Sequence, residues 1–183
     1  MIYGKMAMSG QAWKYADDCI RNAYNNDDIS MSDVEDSVIE LRRLACIDDT
    51  VRNTESWFIS RTLKWLKRNA PEVRTVISYA DTYYGHKGVI YQASNFKLLG
   101  TTAPGRVIQW SHADDDGNMI VSRYHDHVLR EKYNGKLKPI SLRLMEALKT
   151  GDAVYVKTPG KNIYEYRLVD KDAPVFKQAS LFD

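Results

Sequence analysis

The stretch SYADTYYGHKGVIYQASNF, residues 78–96, decides the fold, because it predicts the end of a strand, a glycine-containing loop, a short helix and the next strand. Asp81 follows the first strand directly, and Tyr91 lies one helical turn before the second. Polar residues at such places either form turns or carry chemistry. The sequence on both sides of this stretch has to distinguish these two possibilities.

The preceding sequence predicts a strand, a helix and a second strand. VIELRRLACI, residues 38–47, and VRTVISYA, residues 73–80, are rich in β-branched and aliphatic residues. Between them, Ile59, Leu63 and Leu66 recur at helical spacing after a loop of polar residues that can cap a helix. A strand, a crossover helix and a returning parallel strand form a right-handed unit with a crevice at the carboxyl ends of the strands.

This arrangement predicts where the polar segments meet. A short helix over about residues 86–93 and a strand in FKLLGTT, residues 96–102, complete a strand–helix–strand–helix–strand order. The loop 48–56 and Asp81 both follow strands, so we expect them at the same edge of the sheet.

The remaining segments predict further helices and hairpins. In the amino-terminal part we expect a short strand within residues 1–8, one helix over about 10–25 and a mobile acidic surface loop over 25–37. In the carboxyl-terminal part we expect a hairpin through Asp-Gly, helices over 123–133 and 139–149, and a second hairpin formed by AVYVKT and NIYEYRLV.

Composition narrows the class of protein. The chain of 183 residues has 44% hydrophobic residues, two cysteines and a net charge of only +2. Residues 1–50 carry five basic and ten acidic groups, a net charge of −5, whereas residues 51–112 carry nine basic and three acidic groups, a net charge of +6. No apolar run approaches the ~18 residues of a membrane span. We therefore expect a soluble cytoplasmic protein whose middle section can face phosphate.

The order of these elements resembles the central part of GNAT-type acyltransferases. IYQASNF, residues 90–96, is similar to a GNAT segment in which the tyrosine often serves as the general acid. The loop 49–56 stands where these enzymes bind the pyrophosphate of an acyl-CoA, although their glycine-rich signature is absent here.

A narrower resemblance is carried by five ordered blocks. ELRRL (40–44), RNTES (52–56), VISYAD (76–81), GVIYQASNF (88–96) and GKNIYEYRL (160–168) resemble, in order and spacing, the phage Mom-type adenine-modification proteins. The similarity covers residues 38–102 closely and residues 105–170 loosely.

The resemblance implies an α/β protein with a GNAT-like mixed central sheet flanked by helices and a C-terminal α+β extension. We expect residues 1–104 to form the core, with incomplete N-terminal strands, and residues 105–183 to form the extension within the same compact domain. The family's leading section is largely missing before Met1, so we expect its loss to affect catalysis more than fold. A homodimer or a partner chain could complete the sheet.

The implied activity is transfer of a small acyl-derived group to the N6 amine of adenine in double-stranded DNA, which protects phage DNA from host restriction. The implied donor is an acyl-CoA such as acetyl-CoA. Iron has been suggested for the family, but nothing in this sequence supports it. The alternatives are a GNAT-type N-acyltransferase for a protein or small-molecule amine, and a non-catalytic GNAT-like binding or anti-defence protein.

Four residues fall on motif positions of the family and are the candidate catalytic residues: Arg43, Ser56, Asp81 and Tyr91. A carboxylate at residue 81 could accept a proton from the poorly nucleophilic adenine amine, or it could form an Asx turn. A phenol at residue 91 could protonate a leaving thiolate, or it could pack a helix. The arginine could hold a phosphate or carboxylate, or form an ordinary ion pair at the sheet edge.

The start of the long helix is the candidate cofactor-binding segment. Free N–H groups at a helix start attract anions, so Asn53, Thr54, Glu55 and Ser56 could bind a pyrophosphate. Plain capping of the helix is the alternative.

A duplex substrate requires the target base to be unstacked and turned into the enzyme. Tyr83 and Tyr84 are candidates for stacking on DNA, and Lys87, Arg106 and Lys161 are candidates for phosphate contacts. We predict no metal site, because a helix over 123–133 would point the two imidazoles of HDH in different directions.

Overall fold

A computed structural model describes residues 1–6, 10–46, 49–114, 116–169 and Val175. The chain forms two compact units. The first contains Met1–Thr102 and the segment from Lys161 onward, and the second contains Ala103–Gly160.

The described chain is built from strands and α-helices in chain order. The strands are β1 (Ile2–Lys5), β2 (Val38–Arg43), β3 (Thr75–Ala80), β4 (Lys97–Thr101), β5 (Gly105–Ala113), β6 (Met119–His125), β7 (Lys132–Tyr133), β8 (Lys136–Leu137), β9 (Ala153–Thr158) and β10 (Asn162–Arg167). The helices are α1 (Gln11–Tyr15), α2 (Asp18–Asn25), α3 (Met31–Ser37), α4 (Thr54–Asn69), α5 (Val89–Ala93) and α6 (Pro139–Thr150). The described part contains no helix with the length and apolarity needed to cross a membrane.

The first unit contains a mixed five-stranded sheet in the order β1-β2-β3-β10-β4. Strands β2 and β3 are parallel, and the other neighbouring pairs are antiparallel. The predicted parallel pair with a crossover helix is therefore confirmed. Helix α4 makes this crossover and buries Ile59, Leu63 and Leu66, the three residues whose spacing predicted it.

Two predictions for the amino-terminal part are wrong. The single helix expected over 10–25 is two helices, because α1 ends at Tyr15 and Asp17 caps the start of α2, where its side chain accepts a hydrogen bond from the Ile20 N–H. The acidic segment expected to be a loop contains α3, which begins with a capping box between Ser30 and Asp33. Val34, on the inner side of α3, is fully buried.

A buried ion pair connects α2 to the sheet. The Nε atom of Arg74, directly before β3, lies 2.6 Å from an Asp17 carboxylate oxygen, and both side chains are less than 10% exposed. Asp17 therefore both caps α2 and neutralises a buried guanidinium. Breaking such a pair leaves one charge buried without compensation.

The predicted second hairpin is wrong, because its two strands lie in different sheets. Strand β9 pairs with β5, whereas β10 inserts between β3 and β4 and is antiparallel to both. Tyr164 of β10 is fully buried, and its hydroxyl donates to the Lys87 carbonyl oxygen at 2.7 Å. Gly88 has a φ of +72°, and a Cβ atom there would overlap the Tyr164 ring.

The second unit contains a three-stranded antiparallel sheet, β6-β5-β9, and α6. Leu144 and Ala147 of α6 pack with Ile108 and Ala153 of the sheet. The β5–β6 hairpin and the helix predicted over 139–149 are confirmed. The helix predicted over 123–133 is wrong, because β6 continues to His125 in register with β5 and is followed by a 3-10 turn.

We predict that Gly88→Ala lowers the free energy of unfolding by roughly 3 kcal/mol, because strain at positive φ adds to overpacking against Tyr164. Gly85→Ala is the matched control, since Gly85 has a φ of +80° and nothing lies within 4 Å of a Cβ atom there. Gly85→Ala should lower the free energy of unfolding by only about 1 kcal/mol. Urea unfolding measures both values, and equal losses would contradict the packing of Tyr164 against Gly88.

We predict that Asp17→Ala lowers the free energy of unfolding by roughly 3–5 kcal/mol, because it leaves the Arg74 guanidinium buried without its partner. Asp18→Ala is the control, since the Asp18 side chain is 69% exposed in its ion pair with Arg21. This substitution should lower the free energy of unfolding by less than about 1 kcal/mol. The measurement is again urea unfolding, and similar losses for the two variants would refute a stabilising role of the buried pair.

Candidate functional site

The candidate site lies where β2 and β3 separate. The parallel ladder between these strands runs from Val38–Thr75 to Leu41–Ser78, although β2 continues to Arg43 and β3 to Ala80. The Ser78 hydroxyl donates to the Leu41 carbonyl oxygen at 3.1 Å, at the last pair of the ladder.

A cavity of about 630 Å³ opens beside these strand ends, within the range of ligand pockets in proteins. Its wall comes from the ends of β2 and β3, the start of α4, the loop after β3 and α5. The polar residues of this wall are Arg42, Arg43, Cys46, Glu55, Tyr79, Asp81, His86, Lys87 and Tyr91.

Asp81 lies in the wall of this cavity and is held on both carboxylate oxygens. One oxygen accepts a hydrogen bond from the Tyr83 N–H at 3.2 Å, and the other lies 2.9 Å from the Nζ atom of Lys161. The side chain is 20% exposed. Asp81 therefore forms the Asx turn that is one of the two sequence-based interpretations, and its carboxylate also borders the cavity.

Tyr91 lines the same cavity from α5. Its ring centroid lies 5.6 Å from that of Phe96 and 5.3 Å from that of Tyr164. The two neighbouring rings hold the phenol at the cavity wall while it also packs the helix against the sheet.

Arg43 is an exposed side chain at the cavity wall. The edge ion pair suggested by the sequence exists, but it joins Glu40 to Arg42, with Nε and the carboxylate oxygen 3.7 Å apart. Arg43 has no ion pair with any residue that the structure describes. Its guanidinium can therefore bind an anionic or carbonyl-bearing ligand in the cavity.

The predicted cofactor-binding residues are divided between two places. Glu55 lines the large cavity, whereas Asn53 and Ser56 line a separate cavity of about 290 Å³ together with Lys64. Asn53 is the N-cap of α4 with a φ of +69°, and its side chain makes no capping hydrogen bond. The Thr54 hydroxyl donates to the Val51 carbonyl oxygen and so closes the loop before α4.

The Ser56 hydroxyl donates to the Asn53 carbonyl oxygen at 3.1 Å, within the first turn of α4. Ser56 is therefore the one candidate catalytic residue that the structure places outside the wall of the large cavity. Arg43, Asp81 and Tyr91 are brought together in that wall.

The predicted DNA-binding residues also occupy different settings. Lys87 is exposed at the large cavity, and Tyr83 and Tyr84 form an edge-to-face pair with centroids 5.2 Å apart in the turn after Asp81. Lys161, predicted as a phosphate contact, is the ion-pair partner of Asp81.

Arg106 belongs to the second unit. Its Nε atom lies 2.7 Å from an Asp126 carboxylate oxygen, and its guanidinium carbon lies 4.2 Å from the Tyr155 ring centroid.

Sequence reasoning missed four polar residues of the wall, Arg42, Cys46, Tyr79 and His86, and it also missed the role of Tyr164. Tyr79 and His86 line the cavity, and Tyr164 fixes the loop 85–88 from β10. Burial raises the pKa of Tyr79, whose hydroxyl is 3.3 Å from that of Tyr15, so this phenol stays protonated. No local pattern predicted the role of Tyr164, because β10 reaches the sheet from a distant part of the sequence.

The described residues contain no group of three or more His, Cys, Asp or Glu side chains that could hold a metal ion. The predicted divergence of the imidazoles of His125 and His127 is wrong, since the rings are stacked with centroids 5.9 Å apart. The reason is that the backbone changes there from strand to 3-10 turn.

Two comparisons with known proteins test the resemblance to the Mom-type proteins. The model of the Mom protein family matches residues 21–144. The protein named methylcarbamoylase mom, from Escherichia phage Mu, is 46% identical to this chain over 63 residues, which are 34% of this chain and 26% of the phage protein. The matched part is thus about a quarter of the curated relative's length. Because the family model covers more than half of the sequence, the chain belongs to the Mom protein family.

Proposed function

We propose that this protein modifies DNA by transferring a small acyl-derived group to the N6 amine of adenine in the duplex, which would protect phage DNA from host restriction. Membership of the Mom protein family and the similarity to a protein named methylcarbamoylase support this proposal. The single observation that carries it is the cavity at the separating ends of β2 and β3, with Asp81, Tyr91 and Arg43 in its wall.

The proposal includes a GNAT-like fold for the first unit. The support is the parallel β2–β3 pair, the α4 crossover between these strands and their separation at the carboxyl ends. Strand ends that separate in this way leave unpaired backbone and side chains facing a crevice, which is where open α/β sheets bind ligands.

An adenine inside a duplex cannot be reached by these side chains, so the base has to be turned out of the stack. The volume of about 630 Å³ accommodates a purine base together with a second reactant. Lys87 and His86 on the loop 85–88 are exposed at this cavity and can contact the displaced strand.

Asp81 is the residue that we assign to the amine. The N6 lone pair is delocalised into the purine ring, so the amine becomes nucleophilic only as an N–H proton is withdrawn. A carboxylate offers about four lone-pair positions, so Asp81 can accept this N–H while it stays bound to Lys161 and the Tyr83 N–H. Lys161 then acts as a positioning residue that fixes the carboxylate at the cavity.

Tyr91 and Arg43 are assigned to the other reactant. An acyl-CoA would supply an activated acyl group with a thiolate as leaving group. The Tyr91 phenol is a proton donor in the cavity wall. The Arg43 guanidinium can donate to a carbonyl oxygen that gains charge during transfer.

The residues around the start of α4 fit the anionic part of such a donor. The smaller cavity is lined by Asn53, Ser56, Ser60 and Ser94, which are polar, and by the cation of Lys64. A helix amino terminus attracts phosphate through its N–H groups and its dipole. The described residues do not offer a ligand set for iron, and no part of the proposal uses it.

We predict that expression of the protein in bacteria produces an adenosine adduct, detected by mass spectrometry after plasmid DNA is digested to nucleosides. Asp81→Asn keeps the size of the side chain and removes its charge, so adduct formation should fall by at least about 10²-fold. Asp28→Asn is the matched control, because Asp28 is exposed in the turn after α2 and lies outside the cavity wall. It should leave the adduct unchanged.

The outcomes separate the proposal from its alternatives. Equal adduct levels in both variants would remove Asp81 from the reaction. Acyl-CoA turnover with protein or small-molecule amines, in the absence of an adenosine adduct, would contradict the DNA substrate and favour a general N-acyltransferase. Neither activity, with tight binding to DNA or a host protein, would favour a non-catalytic binding protein.

A further inference from the structure

The outer face of α4 carries two exposed tryptophans between cationic side chains. We call this surface the α4 outer face and define it by Trp57, Arg61, Lys64, Trp65 and Arg68. The two indole side chains are 59% and 60% exposed, and the three cationic residues are exposed as well. At 3.6 residues per turn these five positions fall within about 100° of the helix circumference.

This orientation is fixed by packing on the opposite side of the helix. Ile59, Leu63 and Leu66 are buried in the core of the first unit, so α4 cannot rotate to bury its tryptophans. The Arg61 guanidinium carbon lies 5.2 Å from the Trp57 ring centroid, which places cation and ring side by side. The only acidic residue of α4 is Glu55, in its first turn.

We propose that the α4 outer face is a docking surface for duplex DNA, a proposal that rests on the DNA substrate assigned above. The argument is charge complementarity, since the face has three cationic groups and no acidic one. From Trp57 to Arg68 the face is about 16 Å long, which spans several phosphates of one DNA strand.

The tryptophans suit the same partner. Indole N–H groups donate hydrogen bonds, and the rings can pack against deoxyribose while Arg61 and Arg68 contact phosphate oxygens. Such contacts position a duplex without reading its sequence. Trp57 and Lys64 also line the smaller cavity, so the α4 outer face adjoins that cavity.

One other occupant fits less well. A second copy of the chain that used the same face would bring three cations against three cations. Duplex DNA satisfies both the charge and the exposed rings.

The test is binding of a short labelled duplex, measured by fluorescence anisotropy between about 50 and 200 mM salt. We expect Arg61→Gln/Arg68→Gln to weaken binding roughly tenfold and to reduce the slope of log K against log salt by about 2, because two phosphate contacts are lost. Trp57→Ala/Trp65→Ala should weaken binding and leave the slope unchanged, since no charge is removed.

Lys97→Gln/Lys149→Gln is the matched control, because it removes two exposed cations outside α4. It should bind like the parent protein. Thermal unfolding of each variant verifies the fold, since every substituted side chain is exposed. Unchanged binding by the α4 variants, or an equal loss in the control, overturns the proposal.

The binding assay also separates this inference from the proposed function. A parent protein that forms the adenosine adduct and binds duplex DNA independently of the α4 outer face refutes only the docking surface. A parent protein that binds no duplex at low salt refutes the docking surface and removes the basis of the DNA substrate as well. Preferential binding of a protein partner by the face would also count against DNA as its occupant.

Discussion

The end of the β2–β3 ladder at Leu41 and Ser78 is the constraint on which the rest of the site depends. If two parallel strands stayed paired to their ends, their backbone N–H and C=O groups would form hydrogen bonds with each other, and no space would remain between the strands. Here the strands separate beyond Leu41 and Ser78, and the start of α4 and the turn after β3 lie beside the opening. The residues that follow each strand consequently face one cavity.

Strand β10 gives this cavity its shape from a distant part of the chain. It pairs with β3 along six residue pairs, and its buried Tyr164 holds the Lys87 carbonyl oxygen. Lys161, directly before β10, holds the carboxylate of Asp81. Strand β10 and the residue before it therefore position both the loop 85–88 and the Asp81 side chain. The stability of the sheet and the geometry of the site consequently depend on the same β3–β10 pairing. Substitutions that weaken β10 should affect function even when they lie outside the cavity wall.

Local sequence patterns correctly predicted the helices and strands that are determined by residues within the same segment. The parallel strands, the crossover helix and the position of Asp81 at the end of β3 follow from apolar spacing and from turn residues. The errors have two physical causes. The first is that polar composition predicts a loop over residues 25–37, although the Ser30–Asp33 capping box and buried Val34 make residues 31–37 a helix.

The other cause is pairing between distant strands. The segments β9 and β10 look like one hairpin, but each finds a partner elsewhere, in β5 and in β3 with β4. The Asp81–Lys161 ion pair follows from this insertion and could not be read from either segment alone. The sequence could therefore identify five residues of the cavity wall but not the interactions that position them.

The central claim is that the opening between β2 and β3 binds the reactants, and the two cysteines of the chain can test it directly. Cys46 lines the cavity, and Cys19 lies in α2 and is absent from the cavity wall. The measurement is the alkylation rate of each thiol by mass spectrometry, with and without duplex DNA and acetyl-CoA together. The account predicts that the added reactants slow modification of Cys46 and leave that of Cys19 unchanged. An unchanged rate at Cys46 under conditions where both reactants are bound would contradict it.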